Sequence, residues 1–509
     1  MTDVPSIDPS TGEIAEIDYR SAPETTPEQV DRLCRAAASA AEPLEALGRD
    51  GRASLLDALA EALEGAGDRI VAVADRETGL GATRLTGELA RTCYQLRLFA
   101  EVLRDGGYLE ATVDHAGDTP MGPRPDLRRM LVPVGPVAVF GASNFPLAFS
   151  VPGGDTASAL AAGAPVVVKA HGSHPATSQL CFDVLAAAAT AAGAPDGTLG
   201  LVHGQQAGAD LVAHPEIRAV GFTGSTGGAR ALLKIIEGRP DPIPFFGELS
   251  SLNPVVVTAG AALDRAARLG AEIAASFTLG AGQFCTKPGL VFVPSGDAGD
   301  EVVTAMGEAI TSAAPMVMLN EGIAAAYGKG AGLLGATAGI EEAARGATDD
   351  DAPGFRGTPR LLTTTAADLP PEATEECFGP LTVVARYSGE AELFTALATL
   401  PSSLTATIHK GPAEVELPGR LDRRLRRLAG RILYDGQPTG VAVSWAQHHG
   451  GPWPATNSQH TSVGTSAIRR FLRPVTWQNA PAELLPEELR EGYDGVPRRV
   501  DGVLRVGRG

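Results

Sequence analysis

Between roughly Thr26 and Val102 the apolar positions recur at helical spacing, as at Leu55, Leu59 and Leu63, with acids and arginines filling the turns between them. Residues three and four apart share a helix face, so this stretch predicts several amphipathic helices. Over residues 111–129 the pattern gives way to Gly, Pro and charge. An extended apolar run resumes at 130–134, which predicts an excursion from the main body, a hairpin arm. Short apolar blocks then alternate with small-residue helical segments. The pattern predicts a buried strand over 136–140, a helix through Ala157 to Ala162 and a strand over 165–169, which together make a βαβ unit. A helix over 176–192, a strand at 200–202, a helix over 207–214 and a strand over 219–222 continue the alternation and predict a Rossmann-like sheet.

A second run starts at 254–257, passes through a long helix over 262–279 and a loop holding Cys285, and reaches a strand over 290–293, the beginning of a second α/β domain. Residues 328–357 are rich in Ala, Gly and Asp without a clear period, and no element is assigned there. The end of the chain, 469–509, is rich in Pro, Arg and Glu with few apolar anchors; such a tail frays unless it docks.

Composition narrows the class. At 509 residues the chain has room for two or three domains, and its Ala, Val, Leu and Gly content with 5% aromatics fits helices alternating with buried parallel strands. A net charge of −18 disfavours nucleic acid and anionic membrane surfaces as partners. The five cysteines, Cys34, Cys93, Cys181, Cys285 and Cys377, include no CxxC pair and are odd in number, which argues against a disulfide framework and for a reducing compartment. No basic segment followed by an apolar core opens the chain and no uncharged apolar run reaches spanning length, so a cytosolic protein is expected. The nine histidines show no HExxH spacing, and no metal is expected.

The chemistry concentrates in Gly282-Gln283-Phe284-Cys285-Thr286 and in Glu248 of Phe246-Gly247-Glu248-Leu249-Ser250. A cysteine among small residues can reach a carbonyl carbon, and a separate carboxylate can activate the water that later releases an acyl group. A lone cysteine is more often a small buried apolar group. Four further segments change that balance: Ala142-Ser143-Asn144-Phe145-Pro146, Val167-Val168-Lys169, Phe222-Thr223-Gly224-Ser225-Thr226 and Glu376-Cys377-Phe378-Gly379-Pro380. In order and spacing the set resembles the aldehyde dehydrogenase superfamily, from Asp8-Pro9-Ser10-Thr11-Gly12 to about Pro474. Pro242 to Leu249 and His449-Gly450-Gly451-Pro452-Trp453-Pro454-Ala455-Thr456 are most similar to the branch of NADP-dependent aldehyde and α-ketoglutarate semialdehyde dehydrogenases.

The resemblance implies an α/β fold of two Rossmann-like domains with a small β oligomerisation arm. It implies a cofactor-binding domain of 1–110 and 136–246 with a return segment at about 450–477, a catalytic domain of 247–449, and an arm of 111–135 and 478–509 that joins a homodimer or homotetramer. Cys285 is then the nucleophile, Glu248 the base for deacylation, and the Asn144 amide with the Cys285 N–H the donors to the oxyanion. Lys169 and Gly172 lie by the adenosine ribose, Gly224 and Ser225 by the pyrophosphate at a helix start, and Glu376 and Phe378 by the nicotinamide ribose and ring.

Two departures stand out: family members often carry Pro-Trp where Ala142-Ser143 stands, and Gly-Gly where Ser250-Ser251 stands. NAD-preferring relatives often carry Glu at the position of Gly172. An acid there would repel a 2′-phosphate, so NADP is favoured over NAD; His171 and His174 are candidates to meet that phosphate, with packing roles the commoner fate of such residues. Phe145, Gln283, Phe284 and the Trp445–Trp453 segment are candidates to line the aldehyde tunnel. Arg124, Arg128, Arg129, Arg423, Arg424, Arg426 and Arg427 are candidates to hold a substrate carboxylate. Alternatives are a coenzyme A-acylating dehydrogenase, disfavoured by Glu248, and a catalytically silent scaffold.

Overall fold

The computed structural model describes residues 3–349 and 351–507. Helices fill the amino-terminal stretch as its periodicity predicts: Pro27–Ala46, Gly48–Gly65, Gly67–Thr78 and Ala82–Asp105. The first begins with a capping box, in which the Thr26 hydroxyl accepts from the Gln29 N–H and the Gln29 side chain accepts from the Thr26 N–H, with Pro27 in the first turn where it loses no hydrogen bond. Leu55, Leu56, Leu59 and Leu63 of the second helix are buried against the fourth, and removing one such side chain costs about 2–5 kcal/mol.

Two parallel sheets follow. The first orders its strands Phe245–Glu248, Ala219–Thr223, Val137–Phe140, Val166–Lys169 and Leu199–Val202, all parallel. The second has seven strands in the order Glu341–Arg345, Arg360–Thr365, Leu381–Tyr387, Leu290–Pro294, Val255–Val257, Ser403–His409 and Ala429–Tyr434, parallel except at its first edge. Its central strands are buried throughout, which is why they read as unbroken apolar runs.

The helix expected over 262–279 spans Ala259–Thr278, a turn earlier, because the Thr258 hydroxyl accepts the Ala261 N–H and caps it. The unassigned stretch holds part of a helix, Glu321–Ala336, capped by Asn320, and the edge strand Glu341–Arg345. Five glycines flatten the helix's apolar stripe, and one of them, Gly330, lets the Cys377 sulfur approach to 3.2 Å of where a Cβ would stand.

The arm is a third sheet in the order Leu472–Gln478, Leu127–Pro133, Thr112–Asp114, Arg498–Val500 and Val503–Arg505. The carboxyl-terminal tail thus docks on the arm of its own chain, and strand Leu472–Gln478 belongs to the arm sheet. Just before it, the chain returns to the edge of the first sheet. The Leu249 N–H donates to the Ala455 carbonyl at 2.8 Å, and the Asn457 amide bridges the Phe245 carbonyl and the Gly247 N–H. Among the described residues no helix is long and apolar enough to cross a membrane.

Candidate active site

The first sheet aims the carboxyl ends of its strands at one cavity of about 450 Å³. Loops and termini that follow those strands supply Ser143, Asn144, His171, Thr223, Gly224, Ser225 and Glu248 to its wall. The Cys285 loop, Tyr327, Gly330, Glu376 and Phe378 enter from the other sheet and its connections. Ligands of open α/β sheets bind at this end of the strands.

Cys285 is fixed from below. The Asn253 amide, at a left-handed φ of 55°, donates to the Cys285 and Lys287 carbonyls at 2.8 and 3.0 Å, while its oxygen accepts from Thr405. Gln283 is buried with its whole amide engaged: nitrogen to the Gly280 carbonyl at 3.2 Å, oxygen accepting the Leu319 N–H at 3.0 Å. It ties the loop in place and is absent from the cavity wall. The Cys285 N–H has no acceptor among the described residues. Asn144 lies beside it, one amide hydrogen donated to the Gln283 carbonyl at 2.8 Å, the other available.

Sγ of Cys285 lies 3.5 Å from Nε2 of His449, and that nitrogen lies 2.8 Å from Oε1 of Glu248. The Ser462 hydroxyl donates to the other carboxylate oxygen at 2.7 Å, and the His449 N–H is held by Thr461 at 2.8 Å. His449 stands at the junction with the returning segment, which supplies Thr461 and Ser462. Burial opposes the Glu248 anion, yet the His449 imidazole and the Ser462 hydroxyl outweigh it and hold its pKa low. Burial, then the charge of Glu248, pushes the Cys285 thiol well up, while Arg431, pinned by its guanidinium to the Pro438 and Gly440 carbonyls, pulls it back.

His449 stands in the sequence only as part of a family-like segment, and nothing in its spacing to Cys285 or Glu248 marks it. Juxtaposition in space does. Sulfur, imidazole nitrogen and carboxylate oxygen all fall within 4.8 Å, a donor set that also suits a thiophilic cation such as zinc.

On the cofactor side Lys169 ends its strand with an ammonium that has no partner among the described residues, and burial lowers its pKa. Ser225 caps helix Thr226–Glu237 by accepting the Gly228 N–H at 3.1 Å; the Gly224 N–H is already given to the Glu248 carbonyl. Gly172 is exposed with open space where a Cβ would be. His174 is fully buried between Ala142 and Ser178, and burial lowers the pKa of both His171 and His174, which favours their neutral forms. Glu376 is pushed up to about 7 by burial, opposed by Lys287 and by hydrogen bonds from Ser250 and the Ser251 N–H. Lys287 is itself fully buried and holds the Cys377 and Leu381 carbonyls. A helix start and a carboxylate on the cavity wall, with a partnerless ammonium at the end of strand Val166–Lys169, fit a dinucleotide.

Phe145, Phe149 and Phe284 form an edge-to-face aromatic group next to Asn144, with ring centroids 5.3 Å apart in both contacts made by Phe145. Of the arginines singled out for a carboxylate, Arg124 and Arg128 are bound in the arm to His115, Asp126, Glu491 and Asp501, and Arg129 faces Glu110. Arg423 and Arg424 ride on helix Glu416–Leu425, with Arg426 and Arg427 just after it, and none lines the cavity.

The α-ketoglutaric semialdehyde dehydrogenase of Acinetobacter baylyi is 44% identical to this chain over 489 residues, covering 94% of the chain and 92% of its own length. The α-ketoglutaric semialdehyde dehydrogenase 2 of Azospirillum brasilense is 44% identical over 503 residues, covering 98% and 95%. Among solved structures, an NADP-dependent enzyme of E. coli superposes with a TM-score of 0.78 at 22% identity over 94% of each chain. Aldehyde dehydrogenase C of Pseudomonas syringae, crystallised with NAD+ and octanal, gives 0.79 at 20% identity over 95% of each. Residues 2–412 match the aldehyde dehydrogenase family as a whole. A thiol on the wall of a cavity at the carboxyl ends of the first sheet's strands and these likenesses lead to one conclusion: the chain belongs to the aldehyde dehydrogenase family.

Proposed function

We propose that this aldehyde-oxidising, nicotinamide-dependent enzyme converts α-ketoglutaric semialdehyde to α-ketoglutarate and uses NADP in preference to NAD. The observation that carries the chemistry is the contact chain from Cys285 through His449 to Glu248. The two curated relatives named for that semialdehyde support the substrate. The absence of a carboxylate at Gly172, in open space, supports NADP.

Cys285 adds to the aldehyde carbon and gives its proton to the Glu248 carboxylate, with which its thiol shares a hydrogen bond; His449, whose Nε2 touches both groups, orients them, and Glu248 passes the proton on to water before the next step. The Asn144 amide and the Cys285 N–H receive the alkoxide that forms. The nicotinamide, when bound against Phe378 with its ribose on Glu376, supplies the hydride acceptor. Oxidation leaves a thioester on Cys285. Glu248 then takes a proton from the attacking water, and the acid departs as the thiol reforms. Lys169 would hold a cofactor ribose, and the start of helix Thr226–Glu237 would meet the pyrophosphate.

The two parallel sheets support a division into a cofactor-binding domain, 1–110 and 136–246 with the returning segment, and a catalytic domain, 247–449, with strand Phe245–Glu248 of the first sheet running across the boundary. Strand Leu472–Gln478 leaves one edge of the arm sheet unpaired, which suits a homodimer or homotetramer of a cytosolic enzyme. The test is an aldehyde panel with each dinucleotide, with and without coenzyme A, followed by reduced-nicotinamide absorbance. Preferred turnover of the semialdehyde with NADP and no coenzyme A is expected. A strict coenzyme A requirement overturns the hydrolytic step, and a preference for uncharged aldehydes overturns the substrate.

A further inference from the structure

A second environment adjoins Cys285, outside the cavity already described, and it is built by helix Ala82–Asp105. Arg84, Glu88 and Arg91 stand at positions i, i+4 and i+7, so one face of the helix carries all three. Arg91 is half-buried and stacks over the Phe149 and Phe145 rings at 5.0 and 6.0 Å. Arg84 stacks over Phe284 and Phe145 at 4.8 and 5.1 Å and donates one Nη2 hydrogen bond, at 2.7 Å, to the Asn144 carbonyl.

What these guanidiniums lack is informative. Among the described residues, Arg91 has no hydrogen-bond acceptor and no ion pair, and its Nη2 is buried without a partner; Arg84 has no ion pair and its Nη1 is equally bare. An arginine presents five N–H donors in a planar fork, and leaving them desolvated and unmatched beside aromatic faces is costly. Glu88 does not discharge them. Its Oε1 accepts the Leu147 and Ala148 N–H groups at 2.8 and 3.0 Å, its Oε2 has no partner, and complete burial raises its pKa. Even fully ionised it supplies one negative charge against two positive ones. The other charges that Arg91 feels are those of Cys285 and Glu248. The helix thus holds a net cation, with open donors, against the aromatic ring group that borders the reacting sulfur.

We propose that Arg91, seconded by Arg84, binds the far carboxylate of an ω-oxo acid substrate while the aldehyde end meets Cys285. The Phe145, Phe149 and Phe284 rings enclose the methylene segment between the two ends and strengthen the charge contact by excluding water. The proposal rests on the reading that the substrate is an anionic semialdehyde. It gives that reading a residue and explains why an arginine is held by aromatic faces with no acid to meet it.

The experiment compares wild type, Arg91→Met, Arg91→Lys and Arg84→Met with α-ketoglutaric semialdehyde and with pentanal, an uncharged aldehyde of the same carbon count, and measures competition by glutarate. In Arg91→Met, KM for the semialdehyde rises roughly 30- to 100-fold, the size of a lost charge-assisted contact, at least tenfold more than KM for pentanal. Glutarate loses its hold on the same variant, and Arg91→Lys recovers part of the loss. Equal losses on both aldehydes, or no loss on either, overturn the subsite and leave Arg91 a packing residue. If wild type prefers pentanal yet glutarate competes and Arg91→Met abolishes that competition, the subsite stands and the semialdehyde reading falls. If wild type prefers the semialdehyde and Arg91→Met does not erode that preference, the subsite falls and the reading stands.

Discussion

The two neighbourhoods of Cys285 are made differently. The cofactor flank is assembled from the ends of parallel strands and the loops after them, so its polar groups arrive from many points of the chain and partly satisfy one another: Gly224 on Glu248, Ser250 on Glu376, Ser225 on Gly228. The helix Ala82–Asp105 flank is one surface of one element, with aromatic rings against it and cations left unmatched. The first is a cradle for a large ligand with many weak contacts. The second offers one strong contact of a single sign.

The sharpest way to break the contrast is at the boundary between the flanks. Cys285→Ala removes the nucleophile that both serve, and turnover is expected to fall at least about 10⁴-fold while dinucleotide binding, followed by fluorescence quenching, persists. Glu248→Gln comes next. Acylation continues, and a burst of reduced nicotinamide is followed by steady-state release about 10²- to 10³-fold slower; full steady-state activity removes the assigned base. On the cofactor flank, Gly172→Glu meets no steric obstacle and is expected to raise KM for NADP about tenfold with little change for NAD. Equal effects on both dinucleotides place the 2′-phosphate elsewhere.

The smallest effect is one of pH. Because Glu376 is raised to about 7, it is protonated below that value and accepts ribose hydroxyls poorly; above it the carboxylate is restored. KM for the dinucleotide should therefore drop several-fold between about pH 6 and about pH 8, a dependence that Glu376→Gln abolishes. The sign follows from the direction of the shift. Burial of an acid favours its neutral form, so the charged form gained at higher pH is the one that binds.

How much of this was legible in the chain depends on whether a feature is local. Strands such as Val166–Lys169 and Leu290–Pro294 are covered on both faces and announce themselves as apolar runs. Thr26, Pro27 and Gln29 spell out a helix start within four residues. Helix Glu321–Ala336 is hidden because glycines, needed where Gly330 approaches Cys377, erase its stripe. The proposed nucleophile and base, Cys285 and Glu248, stand out in the sequence through their flanking segments. His449, Ser462 and Arg91 were not, since each owes its role to a neighbour far away along the chain, and an arginine on a charged helix face reads as solvated until the aromatic rings over it are seen. For the histidines beside Lys169, where packing was the commoner expectation, burial favours the neutral form of both.

The returning segment has a mechanical corollary. His449, Thr461 and Ser462 grip the base, and the same stretch runs through helix Thr465–Phe471 into the strand that lies on the arm. On the proposed roles, a pull on the arm sheet, from a docking subunit or a nick in the tail, would travel along the backbone between Ser462 and Leu472 to the carboxylate assigned to product release. Subunit contact and product release would then share one tether, and slack in the first would be felt as sluggishness in the second.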